Sequence, residues 1–286
     1  VYPGLFQFFV ELDAQSKLSN LLPKRMLSPK DKLDKKFCNL IFISARPHIY
    51  RDFSEAFTYK VLDRFYRRGL FHEMPTLIPG RLGSSLAGVV SSICRRPKAW
   101  YLAGLEKLES IRKCTQLYPS YTLIFFGDNG QGDLLAAELA LQASPPLLKL
   151  AFINEVQPRR QALSTFSSLS AEEQEKRWAD LGILWMRTPV EGAVQAVQRD
   201  LMSAQSLRRV CECAVNDMEA LVLRHPQHES WTDLLEELNN ALKDAQGLGC
   251  DVEPINTDVL LEHARNFSQI RLGSSSQPLE VGLLQN

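Results

Sequence analysis

The fold of this chain is decided by residues 123–133, which read LIFFGDNGQGD. The four apolar residues 123–126 are typical of a short buried strand. They lead into a glycine-rich turn with Asp128 and Asp133, and a helix-forming run at 134–142 follows directly. In α/β folds, ligands bind where a parallel strand ends and a helix begins. The stretch therefore predicts a ligand or metal site at this turn, and its carboxylate oxygens suit Mg²⁺.

Outward from this turn, strand-like and helix-like segments alternate along the chain. Apolar runs predict strands at 39–44, 121–126, 149–153 and 183–186. Helices are predicted at 5–12, 50–68 and 102–117. This order predicts an α/β fold with a parallel sheet. The segment 74–80, MPTLIPG, contains two prolines and is predicted to be a turn.

The second half of the chain predicts a different organisation. Helices dominate after residue 193, and from residue 247 the composition is typical of a flexible tail. We expect three parts, with boundaries at 1–200 for an α/β domain, 201–246 for a helical extension and 247–286 for the tail.

Bulk composition narrows the classes of partner. The chain has 286 residues with 33 basic and 33 acidic side chains, so no overall attraction to nucleic acid is expected. Its six cysteines show no paired spacing, which is typical of a reducing compartment rather than a disulfide framework. No apolar run reaches the length of about 18 residues that a membrane span needs. We expect a cytoplasmic protein, and peripheral contact with membranes remains open.

Two further residues could act together with the acidic turn. Ser44 ends an apolar strand, where its hydroxyl could hold a phosphoryl oxygen, although a serine that merely ends a strand explains it equally well. Lys107 lies on the helix before the acidic strand and could neutralise a phosphoryl group. A solvated lysine is the alternative, and Lys113 is a competitor on the same helix. For Asp128 and Asp133, repulsion between close carboxylates favours a bound cation, and an ordinary Asx turn is the alternative.

Taken in order, these residues resemble motifs II, III and IV of the haloacid-dehalogenase (HAD) superfamily. The match is closer to the catalytic domain of the actin-patch phosphatidate phosphatase family. Residues 42–50, FISARPHIY, resemble its strand-end segment, and residues 74–80 resemble its proline-rich loop. Residues 127–133, GDNGQGD, resemble its acidic signature, and Lys107 precedes Tyr118-Pro119 with similar spacing. The resemblance extends from about residue 1 to residue 156.

This resemblance implies a Rossmannoid parallel sheet with helices on both faces. It also implies a Mg²⁺-dependent phosphomonoester hydrolase that works through an aspartyl-phosphate intermediate. Ser44 and Lys107 would hold the transferring phosphoryl group, and Ala45 and Arg46 would join them in binding the substrate. Asp128 and Asp133 would hold the metal.

The sequence departs from the family pattern at the nucleophile. The family carries an Asp-x-Asp pair on a strand before the segment matched by Pro3-Gly4, and no Asp-x-Asp occurs here. Because the sequence also begins with Val1 rather than Met, we expect the pair to lie before it. The chain alone should then lack phosphatase activity and the central strand of the sheet.

Two other functions remain open at this point. One is a non-catalytic lipid-binding module on the same fold, and the other is a HAD phosphatase that acts on a soluble phosphate ester. The basic residues Arg95, Arg96 and Lys98, beside Trp100 and Tyr101, could meet an anionic membrane surface. The alternative is a solvated loop with aromatics in the core. A phospholipid or another phosphomonoester is the expected partner.

Overall fold

The computed structural model describes residues 2–18, 40–43, 56–68, 74–78, 97–226 and 228–274. The strands are β1 (Ile41–Ile43), β2 (Thr76–Ile78), β3 (Ile124–Asp128), β4 (Leu150–Asn154) and β5 (Ile183–Met186). The first helices are α1 (Leu5–Leu18), α2 (Ala56–Arg67), α3 (Pro97–Leu117), α4 (Asp133–Leu141) and α5 (Ala171–Leu181). The later helices are α6 (Pro189–Val197), α7 (Ala204–Arg224), α8 (Trp231–Gln246) and α9 (Thr257–Ser274).

The described strands form two small parallel sheets. One sheet has the order β3-β4-β5, and the other pairs β1 with β2. In the larger sheet Asp128 lies beside Asn154, and Asn154 lies beside Met186. Parallel strands joined by helices confirm the predicted α/β class.

One face of the larger sheet packs against the amino-terminal helix and the carboxyl-terminal helices. Phe8 on α1 is completely buried, and its ring meets Phe126 and Phe152 edge-on at 5.4 and 5.6 Å between centroids. The same core includes buried residues of α6, α7, α8 and α9. The helices of the predicted extension therefore share a core with the sheet, and the domain boundaries stay a prediction.

The opposite face packs against α3, α4 and α5. Leu108 and Ile111 of α3 are buried there with the alanines of α4. Trp178 of α5 meets Trp185 of β5 at 4.9 Å between ring centroids. Helices thus cover both faces of this sheet, and α3 and α4 flank the end of β3.

Two predicted segments differ in the structure. Residues 76–78 form a strand rather than a turn, because Thr76, Leu77 and Ile78 pair with β1 in parallel register. A flexible tail is predicted from residue 247, but part of this segment forms the helix α9. This helix buries Leu260 and Ala264, which are four residues apart. The side chain of Asn256 accepts a hydrogen bond from the Val259 N–H at 3.1 Å, which caps the start of this helix. Residues 275–286 lie outside the described residues.

None of the described helices has the length and apolarity needed to cross a membrane.

Candidate functional site

Two glycines allow α3 to approach the acidic turn closely. Gly132 has a φ of +81°, and a Cβ at this position would lie 2.3 Å from the carbonyl oxygen of Trp100. A Cβ on Gly104 would lie 2.8 Å from the carbonyl oxygen of Gly132. Since real Cβ atoms do not come this close to backbone atoms, both positions require glycine. The close approach brings Lys107, one helical turn beyond Gly104, onto the turn.

The amino group of Lys107 binds the acidic turn directly. Nζ donates hydrogen bonds to Oδ1 of Asp133 and to the carbonyl oxygen of Gln131, the latter at 3.3 Å. The other Asp133 oxygen, Oδ2, accepts the backbone N–H of Asp128 at 3.1 Å. The Lys107 and Asp133 side chains are only 9% and 13% exposed. Of the two candidate lysines, Lys107 rather than Lys113 therefore makes this contact within the described residues.

Burial and charge act in opposite directions on Asp133. Burial raises the pKa of this carboxyl, whereas Lys107 and the Asp128 N–H lower it, and the net result is a raised pKa. The site is consequently a poorly solvated environment, in which the ionised carboxylate depends on the neighbouring cation.

Asp128 and Asn129 fix the shape of the turn. Oδ1 of Asp128 accepts the Gly130 N–H at 2.8 Å, which is an Asx turn. Asn129 is buried, and its Oδ1 accepts the N–H groups of Val156 and Gln157 at 3.0 and 3.2 Å. The turn after β3 is therefore tied to the segment after β4. The Asx turn that offered an alternative explanation is present, together with the contact between Lys107 and Asp133.

Tyr2 interacts electrostatically with Asp128, and Asn154 lies opposite Asp128 on the neighbouring strand. Burial raises the pKa of Tyr2, the charge of Asp128 raises it further, and a hydrogen bond with the Asn154 side chain lowers it. The backbone before α1 is held against α7 by a hydrogen bond of 3.0 Å from the Gly4 N–H to Asp217. The sequence interpretation missed Tyr2 and Asn154. For Asn154, the signal was a polar residue at the end of an apolar strand.

The predicted serine loop follows directly after β1 in the sequence. Ser44, Ala45 and Arg46 lie outside the described residues. The strand before them, β1, ends at Ile43, which packs against the same core cluster as Phe125. The structure thus brings Lys107, Asp128 and Asp133 together, and the role of the serine loop remains a prediction.

The fit of this turn to Mg²⁺ depends mainly on Asp128. Both oxygens of Asp133 already accept hydrogen bonds, one from Lys107 and the other from the Asp128 N–H. No group of three or more His, Cys, Asp or Glu side chains that could hold a metal ion occurs in the part of the chain that the structure describes. Proteins often hold Mg²⁺ through one or two carboxylates, with water filling the other positions. Asp128 fits such a role as a single carboxylate ligand.

The predicted basic and aromatic cluster at 95–101 is only partly described. Arg95 and Arg96 lie outside the described residues. Trp100 is half-buried, and Tyr101 is 46% exposed.

Comparison of the chain with protein-family models, with curated proteins and with solved structures found no match. The resemblance to the HAD superfamily therefore rests on the sequence motifs, and it remains a prediction.

Proposed function

We propose that this chain carries part of the active site of a Mg²⁺-dependent phosphomonoester hydrolase of the HAD type, similar to phosphatidate phosphatases. One observation carries the proposal. The buried amino group of Lys107 lies on Asp133 at the turn after β3, directly beside Asp128. A cation and two carboxylates at the carboxyl end of a parallel strand suit the binding of a phosphate group with its metal.

The contacts favour a different role for each residue. Lys107 would neutralise the phosphoryl oxygens, because it is a poorly solvated cation held in place by two acceptors. Asp133 would position Lys107, since both of its oxygens are already hydrogen-bonded. Asp128 would bind Mg²⁺, which when bound stabilises negative charge on the phosphoryl group. From the sequence, both Asp128 and Asp133 are expected to bind the metal. The contacts instead favour Asp128 as the ligand and Asp133 as the residue that positions Lys107.

The arrangement of the strands also supports the HAD-type proposal. The resemblance implies that a strand with the Asp-x-Asp pair lies at the centre of the sheet. Within the described residues, β1 and β3 belong to separate sheets, and β3 pairs only with β4. An edge of β3 would thus be open to such a strand. Since residues 1–286 contain no Asp-x-Asp, the proposal places the nucleophile outside them.

Phosphatidate is the substrate class that we favour. The segment between Ser44 and Lys107 contains α2, β2 and the start of α3. We take this span as short for a large cap domain, and an open site would suit a bulky substrate that lies in a membrane.

The test is the release of phosphate by the complete gene product, with phosphatidate in mixed micelles and a soluble aryl phosphate compared side by side. We expect Mg²⁺-dependent release that is faster with phosphatidate, and no release by the 1–286 chain alone. Faster release from the soluble ester would favour the soluble-substrate alternative. Lack of release from both substrates would favour the non-catalytic alternative, and release by the 1–286 chain would contradict the placement of the nucleophile.

A further inference from the structure

Helix α2 presents a stripe of basic side chains. Lys60, Arg64 and Arg68 are each four residues apart and are all exposed. With 3.6 residues per turn, this spacing places them along one side of the helix. Arg68 directly follows the last helical residue and continues the turn, since its N–H donates to the Arg64 carbonyl at 3.2 Å. None of the three forms an ion pair with another residue in the described ranges of the chain.

Two tyrosines border the same exposed surface. Tyr59 and Tyr66 are seven residues apart, which is nearly two helical turns, and each is 39% exposed. Leu62 is buried and marks the side of the helix that faces the protein. The exposed arc of α2 therefore runs from the two tyrosines to the basic stripe.

The charge on this arc is strongly one-sided. Asp63 is its one carboxylate among the described residues, and it is paired with Arg67 at 2.7 Å. Four basic side chains and one carboxylate leave three net positive charges on about three turns of helix, whereas the whole chain has zero net charge. We call this set the α2 basic face; it consists of Tyr59, Lys60, Asp63, Arg64, Tyr66, Arg67 and Arg68.

We propose that the α2 basic face binds an anionic phospholipid surface. Basic side chains are attracted to anionic head groups, and tyrosine rings favour the depth of the head groups at a membrane interface. The choice of a lipid surface rests on the proposed function, because a lipid phosphomonoester would be presented in such a surface. A nucleic acid is the other polyanion that a basic stripe could bind, and a DNA duplex in the experiment distinguishes the two.

Flotation of the 1–286 chain with lipid vesicles tests the proposal. The vesicles contain phosphatidylcholine alone or phosphatidylcholine with phosphatidylserine, and a DNA duplex serves as a second anionic probe. The test variant is Lys60→Gln/Arg64→Gln/Arg68→Gln, which removes the stripe. A matched control, Arg160→Gln/Lys176→Gln/Arg177→Gln, removes the same charge from other exposed positions. Circular dichroism establishes that both variants keep the fold.

We expect binding only to the vesicles that contain phosphatidylserine, and weaker binding at high salt. The stripe variant should lose affinity by a factor on the order of 100, whereas the control should stay close to the unmodified chain. Equal loss in both variants, absence of vesicle binding, or stronger binding to DNA than to vesicles would each overturn the proposal. No catalytic step is measured, so this result is separate from the outcome of the phosphatase assay.

Discussion

The amino group of Lys107 on α3 is hydrogen-bonded to the carboxylate of Asp133 at the start of α4. Both side chains are largely buried, and the second Asp133 oxygen binds the end of β3. A single carboxylate thus joins a helix, a strand end and a turn. This relationship underlies the proposed function, because it places a cation beside Asp128.

Loss of the lysine should destabilise the protein. Lys107→Met leaves the Asp133 carboxylate buried without its cation, and breaking a buried pair in this way costs about 3 kcal/mol. The matched control is Lys113→Met on the same helix, for which we expect a change below about 0.5 kcal/mol. Urea denaturation at neutral pH measures both. The double variant Lys107→Met/Asp133→Asn should recover most of the loss, and equal losses for the two lysine variants would contradict the buried pair.

Asp133 should also affect how stability depends on pH. Its pKa in the folded protein is raised above the ordinary value of 3.8, mainly by burial. The folded state then binds this proton more tightly than the unfolded state does. The resulting stabilisation is complete at pH values below the pKa of Asp133 in the unfolded chain. It is lost as the pH rises through the pKa of Asp133 in the folded protein. The unfolding free energy of the unmodified chain, minus that of Asp133→Asn, should therefore fall with rising pH in the acidic range, and a rise would contradict the assignment.

Glu11 should show the opposite dependence on pH. Burial raises the pKa of this residue, but hydrogen bonds from Arg209, Ser206 and Gln7 outweigh burial and lower it. Both Arg209 contacts measure 2.6 Å and join α1 to α7. We expect Glu11→Gln to cost about 2 kcal/mol at neutral pH. This difference in unfolding free energy should begin to shrink as the pH falls below the pKa of Glu11 in the unfolded chain. It should disappear once the pH has fallen through the lower pKa of Glu11 in the folded protein.

The control for Glu11 is Glu212, whose exposed carboxylate pairs with Arg208 at 2.8 Å on α7. Glu212→Gln should change the unfolding free energy by less than about 0.5 kcal/mol, because exposed pairs contribute little. Chemical denaturation across the acidic range measures both variants. A Glu11→Gln penalty that persists at low pH would count against the ionic contact between α1 and α7.

Two glycines with positive φ provide a test of the close packing of α3. Gly132 and Gly249 have φ of +81° and +84°, but only at Gly132 would an added Cβ lie within contact distance of backbone atoms. Gly249→Ala should cost about 1 kcal/mol through backbone strain alone. Gly132→Ala should cost about 3 kcal/mol, because the clash with Trp100 adds to the strain. Similar costs in thermal unfolding would contradict the close approach of α3 to the turn.

The local pattern of the sequence was enough to predict β3, the acidic turn and the position of Lys107. An apolar run followed by a glycine-rich turn and a helix specifies these elements within a short stretch of chain. Residues that depend on distant contacts were missed. Asn129 is fixed by Val156 and Gln157, and Tyr2, whose pKa the charge of Asp128 raises, lies far from Asp128 in the sequence.

Short or weakly patterned elements were missed for a related reason. β2 has three residues and is stabilised by pairing with β1 rather than by its own sequence. α9 follows a segment rich in loop-forming residues, and the burial of Leu260 and Ala264 against the other helices stabilises it. Tertiary packing therefore overrode the local composition in both segments.

The most direct test of the central claim is the Mg²⁺-dependent release of phosphate from phosphatidate by the complete gene product and three of its variants. Asp128→Asn and Lys107→Met should each lower kcat by a factor of about 100 or more, because each removes a charge that stabilises the transferring phosphoryl group. Lys113→Met should leave kcat within about twofold of the unmodified protein, as expected for a lysine outside the site. Equal activity of all four proteins would contradict a phosphoryl-transfer site at the turn after β3.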